Sequence, residues 1–427
     1  MALVGGTTFL ISLIGFYKEM VIGSTFGLAE FLDTFTLAIL IPTFIQNVFI
    51  GALKNIFIPN YISENDYPDH FQLLIVYIIT GLVSICLLFI LLFDSYFLET
   101  LYSGHTSDYY SLISKQLYIV LPCLFLWGYN AFLSALLEIN SNYFYTSIAP
   151  VFISLTTIIC VVFFSSYFGN LVLAVGVLLG SILNFLYLLI GVLHYRLLKF
   201  NTLKRFGLTN NMWEMIKQLP AKITSGMLTG INPFVDQIFA AQLIAGSVAA
   251  LNYGNKIPAF TITIAMVALG NVLLPHFSKL VKDDLSKAYK ELFYILKLIF
   301  ATAAIAITIL YFLSKPIIIL LFERGSFSAE NTEMVFQIQQ ILLIQIPFFL
   351  CTLILVKFLT SINKNGFMAW VSLVNLLVNL LLNYVLIEHY QVYGLALSTT
   401  LVLVVSSFIY LFFTYKTYKA HQNTLSI

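Results

Sequence analysis

The sequence predicts an all-α polytopic membrane protein, with about twelve transmembrane helices in two parallel six-helix lobes around a central cavity. Three observations lead there. The chain is 60% hydrophobic and only 9% charged, where soluble domains carry about 25% charged residues. Its apolar runs are continuous and about 20 residues or longer, the length of a helix that crosses the hydrocarbon core. They lack the alternation over about ten residues that marks a membrane barrel. The two halves also repeat a series of short segments in the same order.

Hydropathy places the spans near residues 3–25, 31–59, 71–94, 116–138, 145–166, 170–195, 214–241, 246–276, 291–313, 335–360, 368–387 and 393–415. The first begins almost at Met1, with no basic region and small-residue cleavage site, so no removable signal peptide is expected. Pro42, Pro122, Pro233, Pro258 and Pro347 fall inside spans. Each frees a backbone carbonyl and bends its helix, which suits a protein that changes the side to which it opens. Loops after even-numbered spans, together with the C-terminal tail, hold the basic residues, among them Arg196, Lys199, Lys204, Arg205, Lys279, Lys282 and Lys416. The positive-inside rule then puts both termini in the cytoplasm.

The polar, basic connection at the midpoint divides the chain into an N-terminal six-helix lobe (1–195), a basic cytoplasmic linker (196–213) and a C-terminal six-helix lobe (214–427). Across it, IPNYIS (58–63) answers LPHFSK (274–279), and LETLYSGHTSD (98–108) answers IILLFERGSFSAE (318–330). LPCLF (121–125) answers IPFFL (346–350), INSN (139–142) answers INKN (362–365), and residues 173–190 answer 395–413. Six spans per repeat is an even number, so both halves share one orientation, and a substrate is expected at the repeat interface.

Ionisable residues inside spans mark function, because a charge at the bilayer centre costs roughly 2.5–3.5 kcal/mol on insertion scales. Lys18, Glu19, Asp33 and Lys54 crowd the first helical hairpin; Asp236 and Lys256 lie in the second half, Asp236 about 217 residues after Glu19. An aqueous cavity lined by these groups is one reading. The other is that Lys18 and Glu19 pair with each other or reach toward a helix end. Lys18, Lys54 and Lys256 suit a phosphate or diphosphate, which lysine meets as a point charge. Asn375, Asn379 and Asn383 share one helix face and read first as interhelical hydrogen-bond partners.

Other chemistries find little support. Cys86, Cys123, Cys160 and Cys351 are scattered through apolar runs and form no metal or redox pattern. No Walker A, HExxH or GxSxG sequence is present, so neither enzyme activity nor a cofactor or metal is expected. HTSD (105–108) is a chance-level tetrapeptide. The net charge of +2, without a basic stripe, gives no sign of a nucleic-acid partner.

Residues 13–27 (LIGFYKEMVIGSTFG) and 32–62 resemble the opening helical hairpin of the MurJ (MviN) lipid II flippases. Residues 235–279, VDQIFAAQLIAGSVAALNYGNKIPAFTITIAMVALGNVLLPHFSK, resemble that family's seventh and eighth helices, and PIIILLFERGSFSAENT resembles its loop before the tenth. The family belongs to the MOP flippase superfamily, with polysaccharide-unit flippases and drug/cation antiporters. The resemblance implies a MATE-like pair of lobes around a V-shaped cavity with alternating access, in a bacterial cytoplasmic (inner) membrane. It implies a substrate of undecaprenyl diphosphate bearing sugars and peptide. Lys18 then stands in place of a functional arginine, followed by Glu19 for an aspartate; Asp33 matches an aspartate of helix two. Lys256 stands in place of an essential arginine that follows an aspartate, here Asn255. Gln46 and Asn47 occupy the place of an arginine pair, Ser12 replaces another arginine, and a family glutamate is missing, with Lys54 a few residues on. The family has fourteen spans, whose last two form a groove for the lipid tail.

The expected function is therefore a flippase for a prenyl-diphosphate-linked cell-envelope precursor, lipid II first, acting as a monomer among membrane lipids. A coupling ion or the membrane potential would drive it, with Glu19, Asp33 and Asp236 as the acidic candidates. The alternatives are a flippase for another undecaprenyl-diphosphate oligosaccharide, such as an O-antigen or exopolysaccharide unit, and a non-transporting membrane scaffold. A drug exporter would favour acidic cavity residues, and the lysines argue against it.

Overall fold

In hydrocarbon every backbone N–H and C=O must be satisfied within the segment, and among the described residues every regular element is helical. The computed structural model describes residues 2–64, 66–199 and 208–425. Lys204 and Arg205 of the basic connection lie outside the described residues. Among the described residues, seven helical stretches are long and apolar enough to cross a membrane: Glu30–Ile62, Pro68–Asp94, Ser107–Ile139, Tyr143–His194, Leu285–Phe322, Ala329–Ser361 and Gly366–Asn423. Tyr143–His194 holds the short helix Tyr143–Ile148 and then Val151–Phe168 and Val172–His194, which part at Gly169, and Gly366–Asn423 holds two helices that part at Gln391.

Several helices are interrupted where the sequence places proline. Glu30–Ile45 carries Pro42 and passes into a π-helical turn, Gln46–Ile50, before Gly51–Ile62 resumes; the Gly51 N–H reaches back to the Gln46 carbonyl. Ser107–Val120 and Cys123–Ile139 part at Leu121–Pro122. Ala329–Leu343 and Gln345–Ser361 part just ahead of Pro347. Helix Asn210–Ala241 runs unbroken through Pro233, and Ser247–Asp283 through Pro258. A proline removes one hydrogen bond, and a membrane helix can carry that loss without ending.

The chain divides into two compact units, 1–230 and 231–427, with the boundary inside Asn210–Ala241. In the first unit, helices Val151–Phe168 and Val172–His194 approach closely along Gly176 and Gly180. A Cβ at Gly180 would lie 2.5 Å from the Ile153 Cα, and one at Gly176 2.9 Å from the Thr157 Cα. This is the small-xxx-small packing of membrane helices, fastened by the Thr156 hydroxyl donating to the Gly176 carbonyl at 2.9 Å. The turn after Ile62 and the start of the next helix, Pro68–Leu101, hold the two flanks of the midpoint connection. Gln72 Nε2 donates to the Leu197 carbonyl (3.0 Å), and its Oε1 accepts from the Lys199 N–H (2.9 Å). The Glu64 carboxylate accepts from Thr209 Oγ1 at 2.6 Å and from Asn211 Nδ2 at 3.3 Å.

The second unit has its own core, in which Phe277, Tyr289, Leu292, Ile354, Leu355 and Phe358 are buried together. Some of its polar groups pair across helices, as burial in hydrocarbon favours: Gln339 Nε2 donates to Ser314 Oγ at 2.9 Å.

The two units share unusual backbone angles at matching places. Positive φ occurs at Gly27 and Gly246, Gly104 and Gly325, Ser141 and Asn363, and Gly169 and Gln391. The last pair agrees in both angles, Gly169 at φ 52, ψ −129 and Gln391 at φ 51, ψ −130. Thr106 and Ser328 each cap the helix that follows, accepting from the N–H three residues on. That is the task of the HTSD segment: Thr106 caps, Asp108 stands in the first turn, and His105 stacks on Tyr109 at 4.0 Å between centroids.

Candidate functional site

Within the first unit, the helix interrupted by the π turn faces Cys123–Ile139 and Val172–His194 across a cavity of about 400 Å³. Gln46 and Asn47 lie in the π turn and Lys54 one helical stretch further, and all three line this cavity. π turns concentrate at functional sites because the extra residue per turn re-aims side chains. Lys54 is not free: its Nζ stands 2.7 Å from Glu138 Oε1, with both side chains about a quarter exposed, at 28% and 26%. The remaining wall includes Trp127, whose indole N–H donates to Ser181 Oγ at 3.0 Å. It also includes Asn130 and Asn184, each 8% exposed. Among the described residues, both amide atoms of Asn130 and the Oδ1 of Asn184 lack a hydrogen-bond partner.

Lys18 and Glu19 sit on Ala2–Phe26 and pair with each other at 2.9 Å, half-buried. Asp33 is buried in the first turn of Glu30–Ile45, where the free N–H groups of a helix N-terminus favour an anion.

In the second unit, Asp236 is buried at 7% exposure and held by three neutral donors. Asn379 Nδ2 and Asn383 Nδ2 donate to its Oδ1 at 3.0 and 2.7 Å, and Thr399 Oγ1 donates to its Oδ2 at 2.9 Å. Asn375 bonds instead to Ser406 Oγ at 3.0 Å. Lys256 is half-buried and Asn255 exposed on Ser247–Asp283. Among the described residues no group of three or more His, Cys, Asp or Glu is placed to hold a metal ion.

The structure thus joins Lys54, Gln46 and Asn47 in one cavity, Lys18 with Glu19, and Asp236 with two of the three spaced asparagines. Sequence reasoning missed Glu138, Asn184 and Thr399. Glu138 carried a signal, being the single acidic residue between Asp108 and Glu214.

The family model described as lipid II flippase MurJ matches residues 22–426. The chain belongs to the MurJ family. Among curated MurJ relatives, the Buchnera aphidicola subsp. Acyrthosiphon pisum protein named "Probable lipid II flippase MurJ" is 26% identical over 409 residues, covering 92% of this chain and 79% of its own length. The Burkholderia cenocepacia protein named "Lipid II flippase MurJ" is 25% identical over 346 residues, covering 78% and 67%. A solved lipid II flippase MurJ in an inward closed conformation superposes with TM-score 0.82 at 21% identity, covering 97% of this chain and 88% of that one. An inward-facing multidrug resistance MATE transporter of the MOP superfamily superposes with TM-score 0.81 at 13% identity, covering 97% and 96%. The fold is therefore that of the MurJ and MATE transporters.

Proposed function

We propose that this chain is a lipid II flippase of the bacterial inner membrane, with twelve spans in two six-helix lobes and both termini in the cytoplasm. The observation that carries the reading is the family match, which runs through the Lys54 cavity and the Asp236 cluster alike. The repeated backbone angles of the two units support the duplicated architecture. A flippase makes and breaks no covalent bond. It needs a wet, polar path for a headgroup that hydrocarbon excludes, while the prenyl tail stays in lipid.

In this reading Lys18 and Lys256 take the diphosphate, and alternating access exposes the headgroup on either side. Directionality requires an input that binds the two openings differently. One charge crossing 100 mV is worth about 2.3 kcal/mol, and Asp236, whose partners are neutral donors, is the acidic candidate for a coupling cation.

A second reading, a flippase for another undecaprenyl-diphosphate glycan, is favoured by one feature: Glu138 neutralises Lys54 beside Gln46 and Asn47. The test is transport of fluorescent lipid II in proteoliposomes of the purified chain. The wild type is expected to flip it, and Lys18→Ala and Lys256→Ala to lose at least 90% of the rate at unchanged protein levels. Full activity in both variants would overturn the diphosphate assignment. Transport of other prenyl-diphosphate glycans, with lipid II left behind, would favour the second reading.

A further inference from the structure

We infer that the cavity of the first unit is a subsite for a neutral sugar of the headgroup, bearing hydroxyl and acetamido groups, rather than for its diphosphate. The inference rests on the flippase reading above and divides the headgroup between two places. Charge decides first. Among the described residues, Lys54 and Glu138 are the only ionisable groups lining the cavity, and they pair at 2.7 Å. The walls therefore carry no net charge to hold a phosphate; Lys18 is also paired, with Glu19 at 2.9 Å, but in the reading above Lys256 joins it as a second cation, and no second cation lines this cavity among the described residues.

Hydrogen-bonding capacity decides second. Among the described residues, Asn130 has a donor and an acceptor without a partner, and Asn184 adds an unpaired carbonyl oxygen. All three atoms belong to residues more than nine-tenths buried in the cavity wall. Buried amides are ordinarily satisfied; among the unsatisfied ones, Asn130 and Asn184 are those that line this cavity, and a ligand that satisfies them must both donate and accept. Vicinal hydroxyls and an acetamido group do so; a diphosphate only accepts. Trp127 supplies an apolar ring surface, its orientation fixed by the bond from its indole N–H to Ser181. The volume of about 400 Å³ falls within the range of small-molecule sites, roughly 300–1,000 Å³.

The full chain in nanodiscs would be titrated with two probes, undecaprenyl diphosphate and undecaprenyl-diphosphoryl-N-acetylglucosamine, with binding read by native mass spectrometry. The wild type is expected to prefer the sugar-bearing lipid about tenfold. The Asn130→Leu/Asn184→Leu double variant is expected to bind both equally, with affinity for the bare diphosphate unchanged. Ser134→Phe, which fills the cavity from a half-buried position on its wall, is expected to do the same and serves should the leucine pair fail to fold. Absence of any preference in the wild type, or a preference that survives both variants, would overturn the subsite. Bare-diphosphate binding that ignores Lys18→Ala and Lys256→Ala would instead overturn the diphosphate assignment, so the two failures are distinguishable.

Discussion

The ammonium of Lys54 stands 2.7 Å from the carboxylate of Glu138, a residue 84 positions later in the chain. The pair converts what reads as a free cation in the second span into a neutral strut between two helices. Removing one member of such a pair leaves the other uncompensated, while removing both does not. Lys54→Met alone and Glu138→Leu alone are each expected to lower stability by about 1–3 kcal/mol, less than a fully buried pair because both groups reach some solvent. The double substitution should recover much of that loss. Equilibrium unfolding in mixed micelles gives the coupling energy from the four proteins, and additive losses would mean that the ion pair contributes nothing.

Asp236 collects three hydrogen bonds from Asn379, Asn383 and Thr399. Interhelical hydrogen bonds in membranes measure about 0.6 kcal/mol each on average, up to about 1.7, and stranding buried donors adds to this. Asp236→Ala should therefore cost about 2–4 kcal/mol. Asp236→Asn, which keeps one acceptor, should cost less. The order of the two melting temperatures in detergent checks this, and an alanine variant as stable as the wild type would contradict it.

Gln391 adopts φ 51, ψ −130, a conformation that glycine enters freely and residues with a Cβ do not. The matching turn in the first unit has glycine there, Gly169. Such strain costs of order 1–3 kcal/mol, partly offset by the extra flexibility of glycine in the unfolded chain. Gln391→Gly is expected to raise stability by about 1 kcal/mol, and Gly169→Gln to lower it by at least as much. Paired thermal melts decide, and a loss on Gln391→Gly would show that the glutamine side chain is needed at the bend.

Glu64 lies in the turn after the second span. Burial acts to raise its carboxyl, but hydrogen bonds from Thr209, the Tyr67 N–H, Asn211 and the Asp66 N–H outweigh it, leaving the group below the ordinary glutamate value of 4.5. The folded chain thus binds this proton more weakly than the unfolded chain. The contribution to stability is whole above pH 4.5 and is lost as the pH falls through that value toward the depressed one. Glu64→Gln should melt lower at neutral pH and show a shallower decline between pH 5 and pH 3.5. Identical acid limbs for the two proteins would refute the anchoring role.

The helices and their buried charges were legible because burial in lipid imposes long apolar runs and makes each exception conspicuous. Lys18, Asp33, Lys54 and Asp236 all stand out on that ground. The Lys18–Glu19 pair was readable from adjacency, but the partners of Lys54 and Asp236 were not, because pairing over 84 or 147 residues leaves no trace in local spacing. Asn379 and Asn383 were readable as interhelical bonding groups from their shared helix face, yet nothing in the sequence says that a carboxylate is what they hold. The π turn at Gln46–Ile50 was likewise hidden, since its residues are ordinary helix formers. The repeat showed only faintly in letters. Gly104 and Gly325 keep glycine at a matching bend, whereas Gln391 has replaced it and so erased the signal at one of the most similar turns.

Glu64 in the turn after Ile62 and Gln72 at the start of the next helix fasten the two flanks of the midpoint connection close together in the chain. A polypeptide cut between residues 200 and 207 would therefore keep both new ends tethered. The gene should tolerate being split there, with fragments 1–199 and 208–427 co-produced as a two-piece protein. A reporter domain inserted at the same place should be carried without disturbing the helices on either side.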